Sequence, residues 1–113
     1  MIERMSHDEY VLSGRARAAE IADSVISGSL PILDGCHLLN ELRGEIEVPD
    51  NDPDFQVFAL VYSETDSLPI GSLRENWAPE ALAKSRAELQ SATDWAGRIA
   101  LPACKSVVSR FGA

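Results

Sequence analysis

The chain has 113 residues, 45% of them apolar and 25% charged, enough for one globular domain with its own core. Eighteen acids against ten bases leave a net charge of −8, which argues against a duplex nucleic acid or an anionic membrane as partner, because both demand a cationic surface. Aromatics are only 6%, so the core must be built mainly from Leu, Ile, Val and Ala, as helix packing allows.

Residues 1–7 read as a loose start. Ser6 or Asp8 then caps a first helix, with Glu9 in its first turn. Tyr10, Val11, Ala18, Ile21, Ala22, Val25 and Ile26 follow helical steps along one face. Gly14 weakens this helix by about 1 kcal/mol relative to Ala. Gly28 and Pro31 end it near Ser27, and Pro31 suits the first turn of a second helix. There Ile32, Cys36, Leu39 and Leu42 form a stripe that Leu38 widens, and Gly44 and Pro49 bring the stop. The short break predicts two antiparallel neighbours.

A loop, Ile46 to Asp52, leads to Asp52-Pro53-Asp54, a helix start with a capping acid and proline at the first position. Phe55, Phe58, Val61 and Tyr62 continue at helical spacing. FQVFALVY also suits a strand by propensity. A lone strand would find no partner elsewhere in the chain for its backbone, so helix is expected. Ser63 to Asn76 reads as a connection pinned to the core by Leu68, Ile70 and Leu73. Trp77-Ala78-Pro79-Glu80 opens a last, long helix. Its face runs Leu82, Arg86, Leu89, Ala92, Ala96, Ile99, Ala103, Val107 and Phe111, with a kink expected one turn before Pro102. The expected fold is all-α, a small four-helix bundle over residues 1–113 with a long, proline-kinked C-terminal helix.

Charge is unevenly placed. Residues 41–66 hold eight acids and one base, while residues 67–113 hold four acids and six bases. Glu41, Glu45, Glu47, Asp50, Asp52 and Asp54 are therefore expected to share an exposed acidic rim, suited to steering a cationic protein. The triplet Asp50-x-Asp52-x-Asp54 is not an EF-hand: Phe55 and Val61 stand where that loop needs Gly and Glu. His37 neighbours Cys36, but adjacent helical residues point about 100° apart, so they do not make a joint metal site. No motif implies a metal or a cofactor. Cys36 and Cys104 read as small buried hydrophobes. Glu64, Asp66, Arg74 and Trp77 are expected to gather after the third helix, either as an internal clasp or as a small pocket for an anion. MIERMSHDEY lacks an apolar signal region and no stretch reaches the length of a membrane span, so a cytoplasmic location is expected.

The string from Ser63 to Trp77, SETDSLPIGSLRENW, resembles a group of small bacterial proteins with S-E-T-D, L-P-x-G and R-x-x-W in succession. In size and acidity alone, the chain also resembles bacterial immunity proteins, which neutralise secreted toxins. That likeness implies a non-enzymatic inhibitor occluding a basic toxin with its acidic face, and no catalytic residue. The other reading is a small enzyme or ligand-binding protein using Glu64, Asp66, Arg74 and Trp77.

Overall fold

In the computed structural model, which describes residues 6–68 and 78–112, Ser6 opens the first helix, α1 (His7–Ser27). Its hydroxyl accepts the amide of Glu9 at 3.1 Å, so His7 belongs to the first helical turn rather than to a loose start. Gly28 ends α1 with φ +85°, a conformation that costs glycine nothing. That turn lets the amides of Ser29 and Leu30 return to the Ser24 carbonyl at 3.0 and 3.1 Å. The chain is thereby reversed into α2 (Ile32–Leu42), with Pro31 at its N-cap.

α2 does not stop at Gly44 in the expected way. The amides of Glu45 and Ile46 reach back to the Leu42 carbonyl, and Glu47, with φ +55°, takes the left-handed position instead. Ile46 is fully buried, so the loop begins with a core residue.

Residues 55–62 are helical. Asp52 caps α3 (Pro53–Thr65) by accepting the amides of Asp54 and Phe55 at 3.1 and 3.2 Å. Phe55, Phe58, Val61 and Thr65 form its buried face, and the two phenylalanine rings meet edge to face at 5.2 Å. α4 (Pro79–Phe111) is unbroken across Pro102. It buries Ala96, Ala100, Ala103, Cys104 and Val107, while Arg86 is exposed. The side chain of Leu82, like Ile70 and Leu73, lies outside the described residues; Leu68 is buried.

Neighbours in sequence are neighbours in space: α1 packs on α2, α2 on α3, α3 on α4 and α4 back on α1. α2 also meets α4 across the ring. Short side chains, Cys36 on one helix and Ala100 and Cys104 on the other, suit such a close crossing. No strand occurs among the described residues, and none of their helices is long and apolar enough to cross a membrane.

The sequence stripes are wider than the core. Tyr10, Ile26, Leu38 and Tyr62 stay exposed, and Ile21 is half-buried. Two of these, Ile21 and Leu38, line the site described next.

Candidate functional site

Of the six acids expected on one rim, four are exposed: Glu41, Glu45, Glu47 and Asp50. Glu47 is held by the ring of His7 at the start of α1. The carbonyl of Asp50 accepts from the guanidinium of Arg43, which fixes the loop after α2.

Asp52 and Asp54 do not belong to this face. Capping α3 turns the Asp52 side chain back over the helix, where it is only 5% exposed. Arg110, in the last turn of α4, reaches it with two bonds of 2.6 and 3.0 Å and binds Asp54 at 2.8 Å. Ser106 donates to the same Asp54 oxygen at 2.6 Å. The hydrogen bond from Arg110, aided by the two capping amides, holds the Asp52 carboxyl below its usual range despite burial. The guanidinium also lies 4.8 Å from the Phe111 ring, with Arg15 at 5.5 Å. These two acids therefore join α3 to α4 and are withdrawn from solvent. The sequence reading gave Arg110 no role, because 56 and 58 residues separate it from its partners.

Two of the four exposed acids, Glu41 and Glu45, border a groove. α1 and α2 run antiparallel: Val25 faces Gly35, Ile21 and Leu38 line one hollow, and Ile46 faces Gly14. On the outer side of this hairpin lie two adjoining hollows of about 290 and 430 Å³. Ile21, Leu30, Leu38 and Leu42 give them an apolar lining. Glu20, Glu41 and Glu45 stand around it, with Arg17 the one base among the described lining residues. At the Glu45 end is Tyr10, 45% exposed, whose phenol is pushed up from its ordinary value by that neighbouring carboxylate.

Glu64 and Asp66 are exposed and face different surroundings. Glu64 borders a shallow hollow with Ser67, Leu68, Ala87, Glu88, Ser91 and Ala92. Asp66 contributes to the field around His37. Arg74 and Trp77, and with them the expected clasp or anion pocket, lie outside the described residues.

His37 joins α2 to α3. The Thr65 hydroxyl donates to the Val61 carbonyl at 2.6 Å, so it accepts from His37 Nε2 at 2.7 Å, which places the proton on that nitrogen. The imidazole lies 4.8 Å from the Tyr62 ring. Burial holds its pKa below the ordinary value, against the opposing pull of Asp34, Glu41 and Asp66. Cys36 and Cys104 are buried free thiols. Among the described residues, no three His, Cys, Asp or Glu side chains converge as a metal ion would need. At the Asp50-x-Asp52-x-Asp54 triplet, the last two carboxylates already face Arg110.

Comparison with known proteins finds no matching family model, no similar curated protein and no similar solved structure.

Proposed function

We propose that the chain is a non-catalytic protein-binding module, an immunity-type inhibitor that occludes a basic toxin with its acidic face. The observation that carries this reading is the position of Glu41 and Glu45. Glu41 lies in the last turn of α2 and Glu45 in the turn that follows it, both exposed beside an apolar hollow. Like charges lining one hollow repel mildly, and a cationic partner would relieve that repulsion. Glu47 and Asp50 extend the same negative field past the end of α2. Such a field raises the rate of encounter with a cationic protein and is screened within about 8 Å at physiological ionic strength.

The test replaces Glu41, Glu45 and Glu47 with Gln and Asp50 with Asn. Asp52 and Asp54 are kept, because they hold the bundle together. Immobilised wild-type protein should capture a basic protein from a bacterial secretome at low salt. Its association rate should fall with salt, and the quadruple variant should associate more slowly with a shallower salt dependence. Equal rates and equal salt slopes would reduce the acidic face to a solubilising surface.

A further inference from the structure

The groove between α1 and α2 is built for more than charge. Its lining residues recur at helical spacing, Arg17, Ile21 and Ser24 on α1 and Leu38, Glu41 and Leu42 on α2, with Glu45 in the turn after α2. Leu38 is 37% exposed, although its neighbours Cys36, Leu39 and Leu42 are buried in the core. From Arg17 to Ser24 the α1 wall is about 10 Å long, or about two helical turns.

From this we infer that the groove seats a basic amphipathic helix of the partner. Its apolar stripe would lie on Ile21, Leu30 and Leu38, and its lysines or arginines beside Glu20, Glu41 and Glu45. The inference rests on the acidic face being protein-binding, and it adds the shape of what binds. Two arguments select a helix. Side-chain rows on paired antiparallel helices leave grooves that accept the ridge of a third helix. An extended segment gains affinity by pairing with a sheet edge, and the described residues contain no strand to offer one. Charge selects a basic helix: three glutamates and one arginine line the groove.

The probe is a synthetic, fluorescently labelled peptide of about 15 residues, with leucines at i, i+4, i+7 and i+11 and lysines flanking them. Its controls are a scrambled peptide of the same composition and a version with glutamate in place of lysine. Fluorescence anisotropy should show the patterned peptide binding at least about tenfold more tightly than the scrambled one, with no binding of the glutamate version. Leu38→Gln should weaken the patterned peptide by a similar factor and leave the scrambled one unchanged. Leu38 is exposed, so this variant should keep the wild-type circular dichroism spectrum. NMR amide shifts should change along Arg17–Ser24 and Leu38–Glu45 and not at the Arg110 end of α4. If both lysine peptides bind equally and both are lost in the Glu41→Gln/Glu45→Gln variant, the helix seat is overturned while the acidic face stands. If neither lysine peptide binds at low salt, and the quadruple acidic variant matches wild type against basic proteins, both readings fall.

Discussion

Arg110 decides whether two aspartates count as surface or as structure. With Arg110 in place the Asp52 side chain is 5% exposed; removing Arg110 opens it toward water and leaves only two amides to hold it. Breaking one side of a buried pair costs about 3–5 kcal/mol, but the Arg110 side chain is 35% exposed and water screens its share. Arg110→Ala should therefore lose about 1–3 kcal/mol in urea denaturation at neutral pH, between the surface and buried limits. The loss should depend on pH in one direction. In the folded wild type the Asp52 pKa is depressed, so below the unfolded value of about 3.9 the unfolded chain binds the proton more readily. Stability from this pair is full above that value and disappears as pH falls through the folded pKa. The gap between wild type and Arg110→Ala should accordingly close on acidification from about pH 5 downward. A gap that stays constant would mean that lost packing on Phe111, not the ion pair, explains the variant.

Glycine inside a helix ordinarily weakens it by about 1 kcal/mol, so Gly35→Ala would stabilise α2 if the helix stood alone. It does not stand alone: a Cβ on Gly35 would sit 2.2 Å from Val25 Cγ2 on α1. Both residues are buried, so the contact has little room to relax. Gly35→Ala should lower the urea midpoint, by about 1–3 kcal/mol of overpacking, and Val25→Ala in the same chain should recover part of that loss. Simple additivity of the two variants would show that the helices do not touch there. Gly14 illustrates the same point, since its added Cβ would meet Ile46 at 2.7 Å. From the sequence it was legible only as a weak place in α1, because the close approach is a tertiary fact. The helices themselves were legible where local chemistry acts: Ser6, one of two candidates, and Asp52 as caps, Gly28 as a stop, Pro53 and Pro79 as first residues. The stop of α2 was not, because Ile46 is drawn into the core and the left-handed residue moves on to Glu47. The groove was half legible. Tyr10, Ile21 and Leu38 were visible as apolar residues, but helical spacing alone assigned them to the core stripes, and only the packing shows that Tyr10 and Leu38 are exposed and that Ile21 sits at the edge of the core.

At the scale of the whole molecule, the diagonal between α2 and α4 brings both cysteines into the centre of the ring. Burial pushes Cys36 up from 9.0 to about 12, with Cys104 nearby adding to it. Burial likewise pushes Cys104 to about 11, helped by the charge of Asp54. This ties alkaline stability to the integrity of the core. Above the ordinary thiol value the unfolded chain releases two protons that the folded chain retains, so folding must bind protons and becomes less favourable as pH rises. The contribution of the two thiols is full below about pH 8.5–9 and is lost progressively as pH rises toward the folded values. Tyr10, whose phenol is also held up, adds to the same trend only from about pH 10. The wild-type urea midpoint should thus begin to fall near pH 9. In the Cys36→Ala/Cys104→Ala variant, the starting midpoint should be lower because volume is lost from the core, but the slope between pH 8 and about pH 10 should be nearly flat. The slope is the diagnostic quantity, since cavity formation shifts the midpoint equally at every pH. Parallel curves for the two proteins would show that the thiols ionise as freely folded as unfolded, and that the centre of the ring is open to water.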